Sequence, residues 1–275
     1  DVGELGVNLT DRKLWVGGNG SGNIALGGDG LFLKADGLPD AHTKLLIHSD
    51  THDGSTTFTD SSGSGHEITV VGTSKHESTN KKPNFGDTSI EFDGNSDWLT
   101  IPKSSGFDFG SLNFTIDLWI RPVAQGSGSP NSSIIDYRAA GNASGHYAFY
   151  LGIESGATGN LRFYWSVNGT GWVSFVPCTV THGAWQHIAI VRTGATLTCY
   201  KDGVAQSTTG NIGTTAIHTN AGSGAKLYIG NYSGEPSNHA YEGLIDEIRI
   251  SKGIARWTAN FTPPTRPYSY VDLNS

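Results

Sequence analysis

Apolar and polar residues alternate in short stretches along most of the chain, and the stretches end repeatedly in Gly, Asn, Asp or Ser. In residues 114–122, Phe114, Ile116, Leu118 and Ile120 share one face of an extended chain, and the residues between them share the other. Helical periodicity is nearly absent, so the pattern predicts an all-β fold, a jelly-roll β-sandwich of two antiparallel sheets. The predicted strands are residues 44–50, 66–72, 89–94, 97–102, 114–122, 133–139, 146–153, 160–167, 172–177, 185–192, 196–203, 225–231 and 244–251.

The first 43 residues differ from the rest. Residues 5–9 and 14–16 alternate in the same way around a polar turn at 10–12, which predicts a small N-terminal β-hairpin. A lone hairpin cannot hide its apolar face in water, so it must pack on something else. We therefore divide the chain into an attachment segment, 1–43, and a sandwich domain, 44–275. Packing of the hairpin on its own sandwich is the alternative to packing on other subunits.

Strand alternation also predicts which side chains face away from the core. Tyr147 shares parity with Phe149 and is assigned to the core. If the strands concerned are neighbours, the opposite residues form an aromatic, hydrogen-bonding surface that suits sugar rings. These candidate glycan-binding residues are Trp119, Arg121, Tyr150, Arg162 and Tyr164.

The loop from Tyr232 to Tyr241 is a second candidate for glycan binding, because recognition favours loops on a rigid scaffold. Tyr232, Asn238, His239 and Tyr241 would supply stacking and hydrogen bonds there. Two alternatives stay open for the strand surface. Long loops could cover it as a second minor core, or it could be an aromatic surface without a ligand.

The charge and the hydropathy pattern exclude some partners. A net charge of −7 argues against nucleic acid, which needs clustered Lys and Arg. The chain contains no run of about 18 apolar residues, so no membrane span is predicted, and no signal peptide is visible. Methionine is absent, even at position 1, so we expect residues to be missing upstream. We interpret the two cysteines, Cys178 and Cys199, as buried thiols. A disulfide bridge between neighbouring strands is the alternative.

Segment 184–268 contains AWQHIAIVR, TLTCYKDG and LIDEIRISKGIARWTANFTPPTRPY, and SIEFDGNSDWLTIP and FTIDLWIRP lie upstream. Together these segments resemble the concanavalin A-like lectin/glucanase superfamily, in the laminin-G-like form found on bacteriophage tail and virion surface proteins. The resemblance implies a concanavalin A-like sandwich, with a short helical turn within residues 251–261 and an extended tail after it. The hairpin resembles those near the start of phage tail-fibre modules, which commonly assemble as trimers.

The resemblance also implies a structural calcium ion near Asp246, held in many relatives with backbone oxygens of an early strand. Asp246 shares parity with Ile248, so we expect its carboxylate to face the apolar side, where it needs a partner. Candidate further ligands are Asp93, Asn95 and Asp97 in one turn, and Asp50 elsewhere. The alternative is that Asp246 accepts hydrogen bonds from backbone amides and binds no ion.

The superfamily includes glucanases, whose catalytic carboxylates come from one strand in an E-x-D-x-x-E or E-x-D-x-E pattern. Here Glu91-Phe92-Asp93 lacks the second glutamate. Asp246 and Glu247 are adjacent, so we expect them on opposite faces of a strand. The sequence thus favours a protein that is not an enzyme.

The resulting hypothesis is a non-enzymatic phage virion surface protein, a tail-fibre, receptor-binding or capsid-decorating component that recognises a host glycan. We expect a homotrimer on the virion surface, in contact with other virion proteins through the hairpin and with neither nucleic acid nor membrane. The alternatives are a purely structural capsid cement protein and a carbohydrate-binding module of a secreted bacterial glycoside hydrolase.

Overall fold

The computed structural model describes the backbone of residues 5–8, 13–16 and 24–26. From residue 40 onward it describes 40–124, 131–139, 145–154, 159–219, 222, 224–232 and 239–268, without the side chains of 176–177 and 207–209. The chain forms two compact units, one of residues 1–41 with 268–275 and one of residues 42–267.

The smaller unit contains a three-stranded antiparallel sheet in the order β1–β2–β3. Strands β1 (Leu5–Asn8) and β2 (Lys13–Val16) form the predicted hairpin, with Leu5 opposite Val16. Strand β3 (Ile24–Leu26) adds to the other edge of β2.

The larger unit consists of two antiparallel sheets, which confirms the predicted sandwich. The seven-stranded sheet has the order β13–β12–β11–β10–β17–β8–β5, and the eight-stranded sheet has the order β16–β15–β14–β9–β18–β7–β6, with β4 also paired to β18. The strands are β4 (Thr43–Ile47), β5 (Thr69–Val71), β6 (Lys75–Glu77), β7 (Ser89–Asp93), β8 (Trp98–Pro102), β9 (Phe114–Pro122), β10 (Ser132–Ala139), β11 (Tyr147–Ile153), β12 (Asn160–Trp165), β13 (Val173–Thr179), β14 (Gln186–Thr193), β15 (Thr196–Lys201), β16 (Val204–Asn211), β17 (Ala225–Ile229) and β18 (Glu242–Lys252).

The core lies between the two sheets and includes Phe114, Ile116, Leu118 and Ile120, as alternation predicted. Phe114 of β9 and Phe163 of β12 meet across the sandwich with ring centroids 5.9 Å apart. Phe109, from the loop before β9, stacks on Phe114 at 4.3 Å and on Phe149 of β11 at 4.9 Å. Each such buried ring contributes about 1.5–3 kcal/mol by leaving water, and their contacts join the two sheets.

Three local expectations differ from the structure. Residues 251–261 form the end of β18 and then bends, not a helical turn, while a 3₁₀ turn lies at Ser105–Phe107. Strand β5 covers only Thr69–Val71 of the predicted stretch 66–72. Strands β6 and β16 are additional, and they lie at the two ends of the strand order of the eight-stranded sheet. In the described part of the chain, no helix is long and apolar enough to cross a membrane.

Candidate functional site

A cavity of about 300 Å³ opens on the outer face of the seven-stranded sheet, the face turned away from the core. Strands β10, β11 and β12 supply its floor, and the segments before β13 and around β17 supply its walls. The lining residues are Asn131, Arg138, Tyr147, Tyr150, Tyr164, Trp172, Tyr232 and His239. The cavity thus combines residues from both predicted glycan surfaces, the strand face and the loop.

The floor follows from the register of β11 and β12. Tyr150 lies directly opposite Tyr164, and both point away from the core because Phe149 and Leu151 point into it. Their rings meet edge to face with centroids 5.5 Å apart. This arrangement is the favourable one for aromatic pairs.

A bulge in β11 adds Tyr147 to the cavity. Tyr137 of β10 pairs with Phe149 and the next residue, Arg138, pairs with Tyr147, so Ala148 is an extra residue. The insertion reverses the alternation, and Tyr147 faces outward. The assignment of Tyr147 to the core was therefore wrong. Its ring stacks on Trp172 at 4.9 Å with an interplanar angle of 10°.

Arg138 lies at the centre of the aromatic residues. Its guanidinium lies 4.2 Å from the ring centroid of Tyr232 and 4.9 Å from that of Trp172. Its Nε donates a 2.6 Å hydrogen bond to Asp136, which is fully buried. The buried charge of Arg138 is thus compensated, and its position against the rings is fixed.

Tyr232 and His239, which lie between β17 and β18, form one wall. The rings of Tyr232 and His239 lie 4.6 Å apart, and the backbone amide of Ser133 donates a 2.8 Å hydrogen bond to the carbonyl of His239. The loop is therefore tied to β10, which keeps these rings beside the cavity. Asn238 lies outside the described residues.

Gly152 makes room for Tyr150. A Cβ atom at Gly152 would lie 2.3 Å from the Tyr150 hydroxyl oxygen and 2.6 Å from the carbonyl oxygen of Ser132. Burial raises the pKa of Tyr150 well above its ordinary value, and the nearby carboxylate of Asp136 adds to this shift. The hydroxyl is therefore neutral at physiological pH and able to donate a hydrogen bond.

Four lining residues were not among the predicted site residues: Asn131, Arg138, Tyr147 and Trp172. The alternation of β10 places Arg138 on the same face as Asp136, so parity could have found it. Alternation assigned Tyr147 to the wrong face because of the bulge at Ala148. Trp172 and Asn131 lie just outside strands, where alternation gives no direction.

The structure does not bring the predicted strand surface together as one face. Trp119 and Arg121 belong to β9, in the eight-stranded sheet, so they face away from the sandwich on the opposite side from Tyr150. Trp119 is only 8% exposed and has the Lys82 ammonium 4.0 Å from its ring centroid. It lines a separate cavity of about 360 Å³ with Lys82, Pro83, Asn84, Phe85, Asp202 and residues 262–265. Arg121 donates a 3.0 Å hydrogen bond to the carbonyl of Gly183.

Arg162 and Tyr241 also lie outside the cavity lining. Arg162 is on the outer face of β12 and forms an ion pair with Glu154. Tyr241 is fully buried in the core, and its hydroxyl donates to the carbonyl of Leu244 at 3.2 Å. A buried Tyr241 cannot contact a ligand, so it is not part of the candidate site.

The predicted calcium ligands separate into two groups. Asp93 accepts hydrogen bonds from the amides of Asn95, Ser96 and Asp97 and so completes its own turn. Asp97 likewise accepts from the amide and hydroxyl of Thr73. These carboxylates serve as turn acceptors and do not converge with Asp246.

The other group lies on the outer side of β18. A bulge between Asp246 and Arg249 places Asp246 opposite Trp119, so Asp246 does not face the apolar core as expected. Glu247, with φ of 50°, lies on the same side, which also corrects the expectation of opposite faces. Ligand atoms of His48, Asp50 and Glu247 lie within 4.8 Å of one another. These oxygens, with one imidazole nitrogen, fit a small cation better than the Asp93 turn does.

Hydrogen bonds link this cluster to its surroundings. Asp246 accepts a 2.8 Å hydrogen bond from the hydroxyl of Ser89, and burial, then the charge of Glu247, raise its pKa well above the ordinary value. Burial alone would lower the pKa of His48, but its 2.6 Å hydrogen bond to Glu247 and the charge of that residue outweigh burial and raise the pKa. The side chains of Asp246 and Glu247 are fully buried, so a polysaccharide cannot reach them.

Comparisons with known proteins agree with this architecture. A family model described as the concanavalin A-like lectin/glucanases superfamily, of laminin-G type, matches residues 93–256. A search of curated protein sequences found no significant match.

Several solved structures have a similar fold. Domain 4 of an extracellular GH43 arabinanase from Geobacillus stearothermophilus, solved with arabinotriose, is 19% identical over 78% of this chain and 93% of that domain, with a TM-score of 0.55. The binding domain of Paraclostridial Mosquitocidal Protein 1 is 14% identical over 77% of this chain and 49% of that one, with a TM-score of 0.56. A structure of botulinum neurotoxin type C, whose cell entry is described as dependent on interaction with two ganglioside molecules, is 15% identical over 78% of this chain and 48% of that one, with a TM-score of 0.54. This chain spans about half the length of these toxin domains, and the likeness at such identities concerns the fold.

Proposed function

Because the chain belongs to the laminin-G-like family of the concanavalin A-like lectin/glucanase superfamily, we propose that it is a non-enzymatic glycan-binding protein of a bacteriophage virion surface. The binding site is the cavity on the outer face of the seven-stranded sheet. The role is that of a tail-fibre, receptor-binding or capsid-decorating component that attaches to a glycan of the host surface.

The composition of the cavity is the observation that supports glycan binding. Aromatic rings of Tyr147, Trp172 and Tyr232 flank a space of about 300 Å³, large enough for one or two sugar rings. Sugar rings have apolar C–H faces that stack on such rings, and hydroxyl rims that accept hydrogen bonds from the Arg138 guanidinium. Since Asp136 compensates the charge of Arg138, neutral sugars suit the cavity as well as acidic ones.

The similar structures support the same class of ligand. The arabinanase domain was solved with an oligosaccharide, and the neurotoxin structure concerns gangliosides. Glycan binding on this fold is thus known in both a bacterial enzyme module and a toxin. The phage setting rests on the resemblance of residues 1–43 to tail-fibre hairpins, and the hairpin of β1 and β2 is consistent with it.

An oligosaccharide array followed by calorimetry tests the proposal. The full chain should bind a defined set of glycans, and Trp172→Ala and Tyr232→Ala should each weaken the best ligand at least tenfold, because stacking is lost while the sheet stays intact. Trp185→Ala is the matched control. Trp185 is a half-buried tryptophan that precedes β14 of the other sheet and donates to the carbonyl of Asn80, so its loss should leave binding unchanged.

Each rival predicts a different outcome. A capsid cement protein would bind nothing on the array, and particles lacking it would lose stability. A module of a secreted glycoside hydrolase would bind plant or microbial polysaccharide as a monomer and would not adsorb to host cells. Equal binding by wild type and both cavity variants would place the glycan elsewhere on the molecule and would contradict the proposed site.

A further inference from the structure

The two cysteines lie on different sheets and meet inside the sandwich. Cys178 is on β13, the edge strand of the seven-stranded sheet, and Cys199 is on β15, next to the edge of the eight-stranded sheet. Both are free thiols, and their sulfur atoms lie 3.7 Å apart. The sequence predicted two buried thiols, with a bridge between neighbouring strands as the alternative, whereas the structure brings the two sulfurs together from strands of different sheets.

We propose that Cys178 and Cys199 form an intramolecular disulfide that joins the two sheets at their shared edge when the protein meets a disulfide oxidant. A disulfide needs its sulfurs about 2.05 Å apart, so the two sulfurs must move closer together from the observed 3.7 Å contact. The bond would close a ring that includes all of β14, the strand between the two cysteines.

The surroundings of the two thiols indicate which of them reacts first. Cys199 is fully buried, whereas Cys178 is partly exposed and can meet an oxidant. The hydrogen bond from Cys199 lowers the pKa of Cys178, and burial raises the pKa of Cys199 well above its ordinary value. Lys201, whose ammonium donates a 2.9 Å hydrogen bond to the carbonyl of Thr179, favours the thiolate at both positions.

The chemistry is a thiol–disulfide exchange with a low-molecular-weight disulfide such as glutathione disulfide. The Cys178 thiolate attacks one sulfur of glutathione disulfide, forms a mixed disulfide and releases one glutathione thiolate. The Cys199 thiolate then attacks the Cys178 sulfur and releases the second glutathione. Two electrons pass from the protein thiols to glutathione disulfide, and the two thiol protons end on the two released glutathione thiolates.

The bond would add a covalent link where the Lys201 ammonium already donates a hydrogen bond between the sheets to the carbonyl of Thr179. Strand β13 is an edge strand, and edge strands are the first to fray. A cross-link across such a ring lowers the entropy of the unfolded chain, so we expect the oxidised protein to melt roughly 5–10 °C above the reduced protein.

Mass spectrometry of the native full chain tests the proposal. Incubation with glutathione disulfide should lower the intact mass by about 2 Da, the mass of two hydrogen atoms, and should abolish alkylation of both thiols by N-ethylmaleimide when the oxidised chain is afterwards denatured. Trypsin cleaves after Arg162, Arg192 and Lys201, so the oxidised protein should yield peptides 163–192 and 193–201 linked to each other. Dithiothreitol should separate them and lower the melting temperature.

Two variants complete the test. Cys199→Ala should trap glutathione on Cys178 as a stable mixed disulfide, and Cys178→Ser should leave Cys199 unreactive in the folded state. The proposal is overturned if wild-type protein keeps both thiols alkylatable after oxidation, accumulates only the glutathione adduct, or forms the bond solely between two chains. These readouts use the wild-type protein and do not depend on glycan binding.

Discussion

Arg138 is the residue on which the geometry of the candidate glycan site depends most. Its guanidinium lies against the rings of Tyr232 and Trp172, and its Nε is fixed by the buried carboxylate of Asp136. Removal of one partner of such a buried pair leaves an uncompensated charge, which costs several kcal/mol. The arginine therefore has a structural role in addition to the hydrogen bonds that it can offer a sugar.

At Gly152 a single methyl group should disturb the site. Gly152→Ala would place a Cβ atom 2.3 Å from the Tyr150 hydroxyl oxygen, so the ring must move towards the cavity or the sheet must shift. We expect a loss of about 1–3 kcal/mol in the free energy of unfolding and weaker glycan binding. Thermal melts and calorimetry measure both effects.

Gly224→Ala is the control for this variant, because a Cβ atom there meets nothing within 4 Å. It should leave both stability and binding unchanged. Wild-type binding by Gly152→Ala would show that the position of Tyr150 is unimportant for the ligand.

Buried His76 should make the fold sensitive to acid. Its Nε2 lies 2.9 Å from the carbonyl of Thr57, and its ring stacks on Phe58 at 4.3 Å. Burial lowers its pKa below the ordinary value of 6.5. As the pH falls, the unfolded chain therefore takes up a proton at this histidine at a higher pH than the folded chain does. The folded state keeps its full stability above about pH 6.5 and loses part of it as the pH falls below that value.

We expect protonation of His76 to lower the melting temperature by a few degrees between pH 7 and pH 5. In His76→Gln, which cannot be protonated at this position, the melting temperature should change less over the same pH range. Exposed His42→Gln should keep the wild-type slope. An unchanged slope in His76→Gln would assign the acid sensitivity to other groups.

At the scale of the strand, alternation predicts the face on which a side chain lies correctly where no β-bulge interrupts the strand, and wrongly beyond a bulge. It assigns Phe114, Ile116 and Leu118 correctly, because β9 runs without interruption through that region. It fails for Tyr147 and Asp246, because the bulges in β11 and β18 each insert one residue and reverse the parity beyond it. A bulge depends on the pairing between strands, which the local sequence does not record.

The bulge in β18 leads to a prediction about calcium. It gathers the carboxylates of Asp246 and Glu247 near Asp50, and negative charge concentrated in this way is stabilised by a cation. We propose that calcium binds there and expect millimolar calcium to raise the melting temperature by several degrees relative to EDTA. Asp50→Asn should remove most of this difference.

Asp87→Asn is the matched control, because Asp87 is an exposed aspartate whose side chain lies 3.8 Å from the Lys81 ammonium. It should respond to calcium as wild type does. Identical wild-type melts in calcium and EDTA would contradict calcium binding and leave Asp246 held by the hydrogen bonds from Ser89 and the Glu247 amide.

At the scale of the whole molecule, the sequence predicts the two-sheet sandwich but not which strands are neighbours. Trp119 and Tyr150 both face outward, as alternation requires, yet they lie on opposite sides of the sandwich because β9 and β11 belong to different sheets. Strand order depends on contacts between distant segments, and β9 pairs with β14 and β18. The loop residues Tyr232 and His239 join the cavity for the same reason, since β17 pairs with β10.

Assembly is the remaining property at this scale, and the small N-terminal sheet bears on it. Three strands of three or four residues each cannot bury enough apolar surface to be stable alone in water. Packing against copies of itself would supply the missing surface. The number of copies comes from the resemblance of residues 1–43 to tail-fibre hairpins, which implies a homotrimer, so sedimentation equilibrium of the full chain should give three times the mass of one chain.

Substitutions in β2 separate this assembly from the alternative of packing on the same chain. Leu14 pairs with Val7 and Lys13 with Asn8, and neighbouring residues of a strand face opposite sides. Leu14→Asp should therefore dissociate the trimer by placing a charge on its apolar face, whereas Lys13→Gln should leave it intact. The dissociated chain should still bind its glycan, though less tightly to a multivalent surface, because three linked sites increase the effective concentration. A wild-type chain that sediments as a monomer at all concentrations would contradict the trimer and favour a hairpin packed on its own sandwich.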